Sequence, residues 1–125
     1  MAKYKMKTKT KVIIAGSRTF HNYNKLEEEC NKILTGRDDV EVISGRAMGA
    51  DMLGEIYADE NKHTVKHFPA EWDKHGKGAG FIRNGEMAEH ANMLIAFWDG
   101  KSKGTKHMIE TAHRKGIEAH IIRIK

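Results

Sequence analysis

At 125 residues, 39% of them apolar and 31% charged, the chain is long enough to bury one core and too short for two domains. No apolar run approaches the length of a membrane span and no signal-peptide hydrophobic region is present, so a cytoplasmic protein with no membrane partner is expected. The formal charge of +5 belongs to Lys3, Lys5, Lys7, Lys9 and Lys11: taking these five from 22 basic residues leaves 17, equal to the 17 acidic ones, so the body is neutral.

Residues 1–10 therefore read as a basic arm or the start of the first strand, either a frayed terminus or a contact for a phosphate backbone, and residues 11–125 as one domain. Val12-Ile13-Ile14-Ala15, closed by Gly16, has the continuous apolar character of a strand buried on both faces, expected from about Lys9 to Ala15. Asn22 or Asn24 can cap a first helix whose apolar stripe is Tyr23, Leu26, Cys30, Ile33 and Leu34, with Gly36 closing it. Cys30 is the single cysteine, which excludes an intrachain disulfide and points to a small core residue. Val40 to Ser44 is the second strand, and Ala50 to Asn61 a second helix with Met52, Leu53, Ile56 and Tyr57 as its stripe, interrupted by Gly54.

Thr64 to Phe68 forms the third strand, ended by Pro69. Ala70 to Gly80 is polar, glycine-rich and carries Trp72, the composition of a functional loop, and a third helix follows from about Phe81 to His90. Met93 to Trp98 is the most hydrophobic strand and belongs inside the sheet. A helix from Thr105 to Lys115 and a strand from Ala119 to Ile124 complete the pattern. Strand and helix alternate throughout, which implies right-handed crossovers and a Rossmann-like three-layer α/β domain with a mostly parallel five-stranded sheet in the order 3-2-1-4-5. Ligands of such sheets bind outside the carboxyl ends of the strands, at the switch in strand order.

Three glycine-bearing turns lie on that edge: Gly16-Ser17-Arg18, the segment from Ser44 and Gly45 through Arg46 and Gly49 to Asp51, and the segment from Asp99 and Gly100 through Ser102 and Gly104 to Thr105. Each leads into a helix and offers backbone N–H groups at its positive end, which suits a phosphate or carboxylate. None matches the dinucleotide or phosphate-loop fingerprint. Arg18 and Arg83, the latter followed by Asn84, are placed to grip one anion bidentately, and Lys77 precedes them in the loop with Trp72, which can stack on a base or cover the core edge. Ser17, Ser44 and Ser102 read as hydroxyl donors, because none stands in the elbow that exposes a nucleophile. Asp51 is open to two readings, a helix-dipole partner or a ribose contact. His63 and His67 share a strand face but lack supporting ligands, so no metal site and no resident cofactor is expected.

The segments Ala15 to Phe20, Ser44 to Asp51, Gly76 to Met87 and Phe97 to Thr105, in that order, resemble the SLOG superfamily, specifically its YspA-type branch. The resemblance covers nearly the whole chain and implies a nucleotide-binding domain related to the DNA-processing protein Smf/DprA and to the LOG phosphoribohydrolases. It implies phosphate contacts at Gly16, Ser17 and Arg18, a second wall from Gly45 to Asp51, an arginine on the third helix at Arg83 with Asn84, and a second phosphate grip at Gly100, Ser102, Gly104 and Thr105. The chain departs from the family pattern at Arg46, where a glycine is usual, and after Thr105, where the hydrolase glutamate is replaced by Lys106-His107-Met108-Ile109 and Glu110 comes late. The leading expectation is a sensor or sequestering protein for a nucleotide-derived small molecule. A hydrolase of such a ligand, using Asp51, Glu86, Asp99 or Glu110, and a single-stranded nucleic-acid binder are the alternatives, and self-association stays open.

Overall fold

Val12, Ile13, Ile14 and Ala15 divide alternately between two cores, as the period of two in a strand requires. The computed structural model describes residues 9–124. Among them five strands, β1 (Thr10–Gly16), β2 (Val40–Ser44), β3 (Thr64–His67), β4 (Met93–Trp98) and β5 (Glu118–Arg123), form one sheet in the order β3-β2-β1-β4-β5. Every neighbouring pair is parallel, with Val12 opposite Val42 on one side and Met93 on the other. The expected α/β class and strand order are those observed. Residues 1–8 of the lysine-rich arm lie outside the described region, and Lys11 belongs to β1.

One face of the sheet carries α1 (Tyr23–Leu34) and α2 (Ala50–Glu60), which enclose Val12, Ile14, Val42, Ile95 and Phe97 with Leu26, Cys30 and Tyr57. Asn22 caps α1 by accepting from Lys25 N at 3.0 Å. The free thiol of Cys30 is buried, and burial pushes its pKa up to about 12. The other face carries α4 (Ala79–His90) and α5 (Lys103–Lys115), with Met87, Met108, Ile109 and Ala112 over Ile13, Ile43, Leu94 and Ala96.

Two expectations are corrected. The buried stripe of α2 is Ala50, Asp51, Gly54, Tyr57 and Ala58, while Met52 and Ile56 face outward. Small residues pack inward because α2 rides close on β1: a Cβ on Gly54 would stand 2.7 Å from Ile14 Cγ2. Residues 70–80 do not form an open loop. Trp72–His75 make a single helical turn, α3, ended by Gly76 at φ +61°, and Gly76–Gly78 make a 3-10 turn that runs into α4 two residues before Phe81, with Ala79 buried. Left-handed backbone at Gly76 redirects the chain between these turns, a use of glycine that the composition cannot distinguish from loop flexibility.

Candidate functional site

Gly16 ends β1 where the chain passes the carbonyl of Phe97 on β4, so closely that a Cβ would strike that oxygen and the Ala50 side chain. This proximity ties the first and last turns together. Ser17 N donates to Phe97 O at 3.0 Å, and Asp99 N donates to Ser17 Oγ at 3.3 Å. The N-terminus of α2 rests on the same turn: Gly49, at φ +80°, lies against Ser17 and Arg18, and Ala50 N donates to Ser17 O at 3.4 Å. The start of α5 stands opposite, where Ser102 caps the helix by accepting from Thr105 N at 3.4 Å. Two helix N-termini therefore flank the switch between β1 and β4, and both favour negative charge between them.

Asp51, 5% exposed, projects from the first turn of α2 and accepts from Ala47 N at 3.2 Å. Burial pushes its carboxyl up to about 6, against the opposing pull of that N–H and of the nearby Arg83 charge. The Arg83 guanidinium donates from Nη1 to Gly45 O and from Nε to Asn84 Oδ1 at 3.2 Å. Desolvation draws its pKa down, Asp51 raises it, and the Arg18 charge lowers it again. Asn84 passes the connection on, with Nδ2 donating to Gly104 O at 3.3 Å and to His107 Nδ1 at 3.1 Å. Burial, with the Arg114 charge second, keeps the pKa of the His107 ring below its ordinary value, the state in which Nδ1 can accept that bond. Among the described residues, Arg18 and Arg83 have no carboxylate within ion-pair distance, although ten such pairs occur elsewhere.

These groups surround a cleft of about 410 Å³. Of the residues singled out in the sequence, Gly16, Ser17, Arg18, Asp51, Trp72, Lys77, Arg83, Asn84, Asp99, Ser102, Gly104 and Thr105 line it. Gly45 and Arg46 line a side pocket of about 140 Å³ that shares Arg18, Ala47, Trp72 and Arg83 with the cleft. Three residues have other placements. Ser44 is fully buried and donates to Glu55 Oε2 at 2.6 Å, Gly49 is the α2 cap packed on the first turn, and Gly100, at φ +84°, lies against the Arg123 guanidinium. Asp99 Oδ1 accepts from Lys101 N and Ser102 N at 2.8 Å each, which holds its carboxyl below the usual range and commits that oxygen to the turn. Trp98 braces the same turn, its Nε1 donating to Ser102 O at 3.1 Å. Of the four candidate acids, Glu86 and Glu110 are exposed and stand outside the cleft lining, which Asp51 and Asp99 join.

Phe81, where the sequence predicts only the start of a helix, is a cleft residue. It is 52% exposed and stacks on His107 with ring centroids 4.1 Å apart. Its signal was an aromatic in a glycine-rich segment, paired with an imidazole 26 positions away that only the fold brings near. With Trp72, 51% exposed, it gives the cleft two aromatic groups beside its cationic ones.

The model of the YspA, cpYpsA-related SLOG family matches residues 10–75. The Gene 61 protein of Mycobacterium phage D29 is 32% identical, over 86% of this chain and 91% of its own length. DNA processing protein A from Streptococcus pneumoniae superposes with a TM-score of 0.75 at 18% identity, over 94% of this chain, which spans about half (51%) of that protein. DNA processing protein A from Helicobacter pylori, whose structure is described for its single-stranded DNA binding mode, gives a TM-score of 0.66 at 19% identity, over 94% of this chain and 67% of the other. These two structural likenesses extend to the fold.

Proposed function

The chain belongs to the YspA, cpYpsA-related SLOG family, and from that premise we propose that it binds a nucleotide-derived small molecule in the cleft, as a sensor or sequestering protein. The observation that carries this reading is the convergence of two helix N-termini and of Arg18 and Arg83, neither paired with a carboxylate among the described residues, on a cleft that also holds Trp72 and Phe81. Guanidinium groups without a direct ion pair meet an anion, aromatic faces meet a base, and a cleft of about 410 Å³ has the size of a small-ligand site. Ser17, Ser102, Thr105 and the α5 N-terminus hold phosphate in this reading, and Asp51 accepts from a ribose hydroxyl.

Thermal unfolding against a panel of nucleoside phosphates, with inorganic phosphate as control, tests it. A ligand at a hundred times its dissociation constant adds about 2.7 kcal/mol. The Arg18→Ala, Arg83→Ala double variant should remove most of that gain, since each charged contact contributes about 1.5 to 3 kcal/mol. Equal shifts in the two proteins would remove these arginines from the site. Single-stranded nucleic acid is the second reading, favoured by the likeness to the Helicobacter protein. It predicts affinity for an oligonucleotide that falls steeply with salt, a dependence lost when the lysines of residues 1–11, Lys3, Lys5, Lys7, Lys9 and Lys11, are removed.

A further inference from the structure

The side pocket beside the cleft counts three arginines among its lining residues, Arg18, Arg46 and Arg83. Arg46 sits in left-handed backbone, φ +62°, a conformation that glycine adopts freely and a branched or long side chain rarely does. Its backbone and side chain are both braced: Arg46 N donates to Ser44 Oγ at 3.1 Å, Nη1 donates to His67 Nε2 at 3.3 Å, and Nε stands 3.6 Å from Glu55 Oε2. Glu55 is the carboxylate beside Arg46, accepts from Ser44 and stands 3.5 Å from His67 Nε2, and it does not line the pocket. A turn that would accept glycine thus holds a third arginine in the lining shared by Arg18 and Arg83, a local excess of positive charge that favours an anion.

Between cleft and side pocket lies a single carboxylate. Asp51 lines the cleft, and its Oδ2 lies 2.9 Å from where a Cβ on Gly45 would stand in the wall of the side pocket. An ionised carboxylate only accepts hydrogen bonds, so it repels a phosphate and suits a hydroxyl. A ligand spanning the two cavities would meet this acceptor between arginine-bearing walls. We infer that the side pocket is a second phosphate subsite and that the ligand is a nucleotide with phosphate on both sides of its ribose, as in a nucleoside 3′,5′-bisphosphate. The inference rests on the nucleotide-binding reading of the cleft and narrows it. The same unit recurs along a nucleic-acid strand, so its source is either a free bisphosphate or an oligonucleotide.

Calorimetric titration with the 5′-monophosphate, 5′-diphosphate and 3′,5′-bisphosphate of adenosine, guanosine, cytidine and uridine tests this, using the full chain and its Arg46→Gly variant. Glycine suits the backbone at position 46, and a thermal scan checks that the variant folds. For the nucleoside that binds, the bisphosphate should exceed both other forms by about tenfold or more, the gain of one charge-assisted contact set, and in Arg46→Gly that advantage should collapse to about threefold or less. A monophosphate that binds as tightly as the bisphosphate, a diphosphate that binds best, or an advantage that survives Arg46→Gly overturns the subsite and leaves the nucleotide reading standing. Failure of every nucleotide to bind overturns both. A six-residue oligothymidylate distinguishes the sources: tighter, Arg46-dependent binding with a steep salt slope assigns the two phosphates to a strand, and weaker binding assigns them to a free nucleotide.

Discussion

Asp51 is the residue whose titration reports most directly on the site. Its carboxyl is pushed from an ordinary 3.8 to about 6 mainly by burial, so the folded protein holds this proton more tightly than the unfolded chain does. The contribution of Asp51 to stability is thus complete below pH 3.8 and is lost as the pH rises through 6, where the ionised group must sit among buried neighbours. Asp51→Asn keeps an oxygen for Ala47 N–H and removes the charge. Compared with this variant, the native protein should lose up to about 3 kcal/mol between pH 4 and pH 7, measured by urea unfolding at a series of pH values. Parallel stability profiles for the two proteins would mean that Asp51 is ionised without penalty and solvated. Bound ligand should flatten the native profile, because a hydroxyl donor stabilises the ionised form.

Among the elements, α2 shows best how tightly helix and sheet are fitted. Alanine in place of glycine within an exposed helix stabilises by about 1 kcal/mol. At Gly54 the added methyl would meet Ile14 Cγ2 at 2.7 Å and Cβ at 2.8 Å, neither of which can swing aside like the end of a long side chain. Gly54→Ala should therefore destabilise by about 1 to 3 kcal/mol in chemical unfolding, and a gain in stability would show that α2 stands further from β1. The same close approach explains why the buried face of this helix differs from the one its large apolar residues predict. Apolar size points to Met52, Leu53, Ile56 and Tyr57, of which Tyr57 is buried and Leu53 packs on the core, whereas packing at short range selects Ala50, Gly54 and Ala58 in place of Met52 and Ile56. Strands were more legible, since Val12 to Ala15 and Met93 to Trp98 are continuous apolar runs that a doubly covered parallel sheet demands. The three turns were legible as local chemistry. Their mutual ties were not: the bond from Asp99 N to Ser17 Oγ spans 82 positions, and local sequence carries no trace of which turn faces which. Ser44 illustrates the limit, because only the fold shows that Glu55 already occupies its hydroxyl.

Across the whole molecule, the cleft draws on residues from Ala15 to Met108, and no single segment contains it. A saturating nucleotide should therefore slow amide hydrogen exchange together at residues 16–20, 45–51 and 99–105, measured by mass spectrometry. Protection restricted to one of these stretches would contradict a shared site. The sheet that holds them is entirely parallel, so no two of its neighbouring strands are joined by a hairpin, and β1 pairs with β4 through residues such as Val12 and Met93, 81 positions apart. Closing such distant pairs is slow compared with forming local contacts. During synthesis β1 must wait for β4 to leave the ribosome before its second edge is covered, and the cleft is completed only when the start of α5 follows. A truncated chain ending before Lys103 would present neither the Ser102-capped helix start nor the face that α5 covers. Every wall of the cleft is therefore present only once synthesis has passed Met108, the last residue of its lining, which ties assembly of the site to the closing stretch of translation.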